Sequence, residues 1–253
     1  MKLLTLNLRH TADRWTERFP LIVKLLHEEA ADIITLQEVS DDIQQADMIT
    51  EALNSLIGNH PYITFFEKRI KLSRQEGIAI FSRLPVIETE RLDLIQGGRV
   101  AQRIMVMMEG KYIDIINTHL HHFPPLSEIN RFPQARRILD WIKKRSGLVH
   151  GSIILGDLNT LTISSTYRQI RKDMDSAYVV VHGHEPKGTF PSPLSKIQIP
   201  LITLDYVFIT PGAFRVAEAR VIGYIPADHD SKLYPSDHFG LAVELQIANK
   251  RND

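Results

Sequence analysis

The stretch SIILGDLNT, residues 152–160, decides how the rest of the chain is read. Ile153, Ile154 and Leu155 form a continuous apolar run with turn chemistry straight after it, which predicts a strand buried on both faces that stops at Gly156. If extended geometry persists past the glycine, the period of two puts Asp157 and Asn159 on one side. A carboxylate and a carboxamide then stand at the mouth of a hydrophobic sheet. A carboxylate there is costly to bury unpaired and demands a cation, a proton or a donor. A solvated Asp-x-Asn turn would explain the same triplet. What weighs against the plainer reading is recurrence: apolar strands that end in residues capable of chemistry appear on both sides of this stretch.

Toward the N-terminus, EGIAIFS (76–82) is an apolar strand with Glu76 just at its edge, DIITLQEV (32–39) is a buried strand ending in Gln37 and Glu38, and KLLTLNL (2–8) ends at Asn7. Pro20 followed by LIVKLLHEEAA predicts a helix with Leu21, Leu25 and Leu26 on one face and the proline in its first turn. Residues 43–57 predict another, stopped near Gly58 and Pro61. Three strand-like runs follow, VIETERLDLI, AQRIMVMM and YIDIINTH, separated by Gly97-Gly98 and Glu109-Gly110. Their succession predicts antiparallel pairing, and the last delivers His119. Residues 127–145 predict the longest helix, capped by Ser127, stopped by Gly147 and broken or kinked near 130–133 by Pro133.

Toward the C-terminus, 163–172 predicts a short helix, and 182–203, with four prolines and two glycines, a long irregular loop beside the site. LITLDYVFIT (201–210) reads as a strand broken by Asp205. RVAEARVIGY and FGLAVELQI are further strands, the second preceded by the polar loop PADHDSKLYPSDH (226–238). Interleaved strand and helix signals with hairpins in the middle predict a mixed α/β layered fold. No linker, low-complexity segment or short-period repeat divides the chain, so residues 1–253 are read as a single domain.

Composition narrows the function classes. With 253 residues, 43% of them hydrophobic and 24% charged, the chain has ordinary globular composition. No segment approaches the roughly 20 apolar residues of a transmembrane span. The run MKLLTLNLRH superficially resembles a secretion signal, but it is short, Asn7 and Arg9 interrupt it, and no small-residue cleavage site follows. A cytoplasmic chain is therefore expected, and the absence of cysteine, which excludes disulfides and thiolate metal sites, fits that expectation. Thirty basic side chains against thirty acidic ones weigh against tight nonspecific binding of nucleic acid.

Set side by side, the strand-end residues are Asn7, Glu38, Glu76, His119, Asp157, Asn159, Asp205, Asp237 and His238. All are hard-oxygen ligands, amides or imidazoles, a set that suits Mg²⁺ or Mn²⁺ rather than Zn²⁺. Carboxylates, amides and histidines in one cleft with a hard cation are the parts needed to hydrolyse a phosphate ester.

The pieces NLRH, DIITLQEV, EGIAIFS, NTHLH, ILGDLNT, LDYVFIT and SDHFGLAVEL, in this order and at these separations, resemble the endonuclease/exonuclease/phosphatase superfamily of metal-dependent phosphoesterases, with a pancreatic-type deoxyribonuclease-like fold. The resemblance runs from residue 2 to about 247 and implies a four-layered α/β sandwich, two mixed sheets face to face with helices outside. It also implies roles. Glu38 would be the principal Mg²⁺ ligand with Asp237 close to the metal, Asn7 would position phosphate or water, and Asn159 would bind a phosphate oxygen. Asp157 would orient and deprotonate the attacking water. His238 would pair with Asp205, and His119 with Glu76 in the same way, each imidazole kept cationic by its carboxylate. Arg99 would face the phosphate, with Arg103 competing for that role.

The implied reaction is in-line attack of water on a phosphodiester. The substrate is a small molecule, a lipid headgroup or a nucleic acid. A DNA or RNA endonuclease is thus an alternative, and a catalytically silent phosphate-binding or protein-interaction module on the same fold is another. Arg9 departs from the abasic-site repair branch, which usually has an acidic residue there. NLR and the two histidines look more like the deoxyribonuclease and sphingomyelinase branches. Arg131 and Gln134 echo an Arg-x-x-Gln of the latter, although a solvated helix start is the preferred reading for them. Asp228, His229 and Asp230 read as surface loop, Trp15 and Trp141 as core or partly buried helix residues, and no protein partner is marked.

Overall fold

The computed structural model describes residues 1–69, 75–124 and 128–248. The chain opens with β1 (Lys2–Asn7), α1 (Trp15–Glu29), β2 (Ile33–Ser40), α2 (Gln45–Leu56), β3 (Ile63–Lys68) and β4 (Glu76–Ser82). A meander of β5 (Val86–Asp93), β6 (Val100–Met108) and β7 (Lys111–His119) follows, then α3 (Arg131–Lys143) and β8 (Gly151–Asp157). The remainder is α4 (Ser165–Arg171), β9 (Asp175–Ser176), α5 (Ala177–His182), β10 (Asp205–Ile209), β11 (Phe214–Ile222) and β12 (Gly240–Ile247).

The strands form two six-stranded mixed sheets, in the orders β11-β12-β1-β2-β4-β3 and β5-β6-β7-β8-β10-β9. Each has one parallel pair, β1 with β2 and β7 with β8, joined through α1 and α3 respectively. Alternation along the strands dictates the layering. Leu3, Ile33, Ile115 and Ile153 pack between the sheets. Their neighbours Leu4 and Ile34 face Ile22 and Leu26 of α1 and Ile49 and Leu53 of α2. On the far side, Ile116 and Ile154 face Ile138 and Leu139 of α3. The result is a four-layered α/β sandwich, the arrangement that the family resemblance implies. No described helix is long and apolar enough to cross a membrane.

Several local expectations change. Gly156 does not stop β8, which runs on through Asp157. It is required for a different reason: its φ is +142°, and a Cβ there would lie 2.0 Å from the carbonyl oxygen of Thr118 on β7. α1 starts at Trp15, which leaves Pro20 inside the helix, where its missing N–H opens one backbone bond. α3 starts at Arg131, so Pro133 falls in the first turn, where the N–H has no intrahelical partner in any case and no kink is needed. Ser127, read as its cap, lies outside the described residues. Asp205 opens β10 rather than breaking a longer strand. β3 and α5 carry too little periodicity to be read from sequence.

Candidate active site

The strand-end residues converge where the two sheets present their ends. Asp157, at the end of β8, is in register with both His119 on β7 and Asp205 on β10. Asn7 closes β1 across the sandwich. Glu38 is delivered by an irregularity: the pairing of β2 with β4 slips between Leu36 and Val39, and Glu38 takes a left-handed φ of 51°. The carbonyls of Leu36 and Ala79 sit at that slip, and the Asn117 amide on the opposing sheet donates to both, at 3.0 and 2.9 Å. Asn117 in turn accepts a bond from Gln37 Nε2 at 2.8 Å. A buried amide thus holds the bulge that aims Glu38.

At the centre, Asn7 Nδ2 donates to Asp157 Oδ2 at 2.9 Å and lies 3.4 Å from Glu38 Oε1. Asp157 Oδ1 accepts the backbone N–H of Asn159 at 2.8 Å. Asn159 has a φ of 49°, so extended geometry does not persist, and its amide donates to the Leu120 carbonyl at 3.2 Å. The Asp-x-Asn triplet is a turn and a site at once.

His238 Nδ1 lies 2.9 Å from Asp205 Oδ2, its Nε2 is 3.9 Å from Asp157 Oδ2, and its ring packs on Phe190. Burial works against a charge on this ring. Asp205, by charge and hydrogen bond, and then Asp157 and Asp237 outweigh it, and the pKa is raised to about 10. Asp157 moves the other way for a carboxylate: burial and the neighbouring Asp205 push it up to about 7, against His238, Asn7 and the Asn159 amide. For Glu38, burial pushes upward, but Arg99, His238, His10 and Asn7 together hold it below the usual range.

The expected His119–Glu76 dyad does not form. Arg99 Nη1 approaches His119 Nδ1 to 2.6 Å, and because a guanidinium has only donors, that nitrogen must be an acceptor. The proton of a neutral ring then sits on Nε2, which is 3.5 Å from Asp157 Oδ2 and 3.9 Å from Glu38 Oε1. Burial, followed by Arg99 and Arg69, pushes the His119 pKa well down, in keeping with a neutral imidazole. Glu76 is instead paired with Arg69 and lies 4.0 Å from Arg99.

Between the two competing arginines the structure separates clearly. Arg99 is buried against His119 and His122, whereas Arg103 stacks on Trp141 and pairs with Glu90 and Asp114. Asp237 is buried, with Arg9 Nη1 at 3.0 Å and the Ser236 hydroxyl at 3.3 Å. Asp230 pairs with Arg14 in the surface loop.

Arg131 and Gln134 are not a solvated helix start; both are fully buried. Arg131 donates to the carbonyls of His121 and Pro124 at 3.1 and 3.3 Å, and Gln134 accepts the His121 N–H at 2.9 Å while donating to the Gln96 carbonyl at 2.8 Å. They clamp the two loops on either side of Arg99. Arg18 does the same for the loop after β1. Arg18 and Asn117 escaped the sequence reading, and Arg131 and Gln134 were read there as a solvated helix start, although a signal for burial existed. Arg18 precedes Ile22 and Leu26 at helical spacing, Gln134 precedes Ile138, and Asn117 continues the inward series Ile113, Ile115. Each is a polar side chain in register with an apolar face, where burial demands partners.

The donor set fits a hard divalent cation. His10, Glu38 and Glu76 each offer a ligand atom, all within 4.8 Å of one another, and the chain has no thiolate. Asp157, Asp205 and His238 form a second such group, but there the histidine already bonds a carboxylate.

The endonuclease/exonuclease/phosphatase family model matches residues 4–238, and the chain belongs to that family. Its members are hydrolases acting on phosphoesters. Protein angel homolog 2 of Danio rerio is 29% identical over 174 residues, 62% of this chain but 30% of that protein, so the match spans under a third of the relative's length. The human Nocturnin catalytic domain with bound sulfate superposes with a TM-score of 0.78 at 20% identity, covering 98% of this chain and 94% of that one. Danio rerio TDP2 complexed with a single-strand DNA product gives 0.77 at 14% identity, covering 97% and 98%. At such identities the likeness to the two structures is one of fold.

Proposed function

We propose that this chain hydrolyses phosphodiesters with the help of a divalent cation, by in-line attack of water on phosphorus. The observation that carries the reading is the cluster around Asp157: Asn7 at 2.9 Å, the Asn159 N–H at 2.8 Å and His238, itself fixed by Asp205, at 3.9 Å. A carboxylate titrating near 7 is matched to taking a proton from water at neutral pH, so Asp157 is the general base. Asn7 orients it. The cationic His238 offers fixed positive charge to the equatorial oxygens, and neutral His119 offers the Nε2 proton as a hydrogen bond. Arg99 adds charge behind His119, and Asn159 provides an amide for a phosphate oxygen. Glu38, with Asp237 lending charge nearby, would hold Mg²⁺ or Mn²⁺, which when bound polarises the phosphoryl and leaving oxygens.

Nucleic acids fall within this substrate class, and the neighbour that holds a single-strand DNA product supports keeping a nuclease reading beside a small-molecule or lipid-headgroup one. A silent binding module is disfavoured because no member of the expected set has been replaced. The test is release of nitrophenol from bis-nitrophenyl phosphate with Mg²⁺, Mn²⁺ and chelator, followed by plasmid DNA, abasic duplex, RNA, sphingomyelin and small phosphomonoesters. Activity that chelator and Glu38→Ala both abolish is expected. Equal rates with metal and with chelator would sink metal dependence.

A further inference from the structure

Most buried carboxylates lining the hollow are already matched by a cation that the chain supplies. Asp205 holds His238 at 2.9 Å, Glu76 pairs with Arg69, and Asp237 lies 3.0 Å from Arg9 Nη1. Asp157 has His238 at 3.9 Å in addition to its amide donors. Glu38 differs. Among the described residues no lysine or arginine forms an ion pair with it, and its side chain is 23% exposed, against 2% for Asp237.

The Arg9–Asp237 pair is built, not incidental. Arg9 Nε donates to Asp13 at 2.9 Å, and the Arg9 N–H donates to Asn7 Oδ1 at 2.9 Å. The loop that carries Arg9 is tightly coiled, with left-handed φ values of 59° at Arg9, 37° at His10 and 49° at Asp13. The fully buried guanidinium of Arg18 pins it through the carbonyls of Leu8, His10 and Asp13, at 2.8, 3.2 and 2.8 Å. The same guanidinium holds the carbonyl of Pro235, two residues before Asp237, at 2.9 Å. Both halves of the pair are therefore set by one anchor.

We propose that Arg9 is a resident cation that stands in for a second metal ion at Asp237, so that the hollow takes up one divalent ion, at Glu38, and Asp237 is not among its ligands. The inference rests on the metal-dependent reading above and refines it. A guanidinium stays protonated at any working pH, so the neutralisation is permanent. A dication approaching the same buried carboxylate would have to displace the half-buried guanidinium already paired with it, or settle beside a fixed positive charge.

The test loads the full chain with Mn²⁺ and counts bound ions by titration calorimetry and by the electron paramagnetic resonance signal of the free ion. Wild type and Arg9→Lys are expected to bind one ion per chain. Arg9→Ala, which uncovers Asp237, is expected to bind two. The charge-neutral double variant Arg9→Ala/Asp237→Asn is expected to return to one, with an affinity within a few-fold of wild type, whereas losing a true ligand would weaken it about tenfold or more. Two ions on wild type, one on a folded Arg9→Ala, or a tenfold weakening in the double variant would overturn the proposal. If Arg9→Ala does not fold, as judged by near-UV circular dichroism, the double variant still decides. A wild type that binds no Mn²⁺ fails the metal reading itself, a result distinct from miscounting its ions.

Discussion

Two buried histidines flank the same carboxylate and end in opposite charge states. His238 meets Asp205 and is held as a cation with a pKa near 10, while His119 meets Arg99 and is held neutral. Desolvation acts on both in the same direction; the identity of one neighbour reverses the outcome. A histidine at a strand end therefore announces a site without announcing its charge. In the proposed reaction one ring would supply electrostatics and the other a directional hydrogen bond.

The largest effect is expected from His238→Ala or Asp157→Ala, each lowering kcat on bis-nitrophenyl phosphate by about 10³-fold while circular dichroism stays native. Full activity in either folded variant would remove it from the chemistry. Asp157 also affects stability. Its pKa is raised to about 7, so its favourable contribution is complete below the unfolded value of about 4 and is lost as pH rises through 7. Asp157→Asn at pH 8 is therefore expected to melt no lower than wild type.

Asp205→Asn should cost less, about 10²-fold, and should change the pH profile in a defined way. Wild-type His238 keeps its proton up to about pH 10. Without the Asp205 charge, the alkaline limb should move down toward histidine's ordinary value of about 6.5, and the ring's proton resonances should titrate there. An unmoved limb would mean that Asp205 does not set the charge of His238.

His119→Gln should cost least in rate, about tenfold, because a neutral amide can replace a neutral donor. A loss as large as that of His238→Ala would show that His119 acts as a cation after all. Asn117→Ala touches neither ring and should leave both titrations unchanged. It should destabilise the fold by about 2 kcal/mol in urea melts, since the Leu36 and Ala79 carbonyls lose their shared donor. No loss of stability would mean that water replaces the amide at the bulge.

How much of this was legible beforehand differs from residue to residue. Asn7, Asp157, Asp205 and His238 stand at strand boundaries, and their meeting follows once the strands are assigned to two facing sheets. The Asp205–His238 pair was anticipated and is formed. The partner of His119 was not, because Glu76, His119 and Arg99 reach the hollow from β4, β7 and the loop before β6 respectively, and only packing decides which two touch. Arg131 and Gln134 were misjudged for a related reason: a helix start looks solvated until the loops it supports are in place.

The mixed α/β class and the groups at the strand ends are written in the amino-acid sequence, because alternation and helical periodicity are local and survive in one dimension; the order of the motifs carries the resemblance to the family. Tertiary structure alone decided which carboxylate is matched by which cation, the tautomer of His119, the aim of Glu38 through a bulge held from the opposing sheet, and the anchoring of Arg9 on Asp237. Those depend on distances of a few ångströms between residues far apart in the chain, and at that range both Coulomb energy and hydrogen bonding change steeply with position.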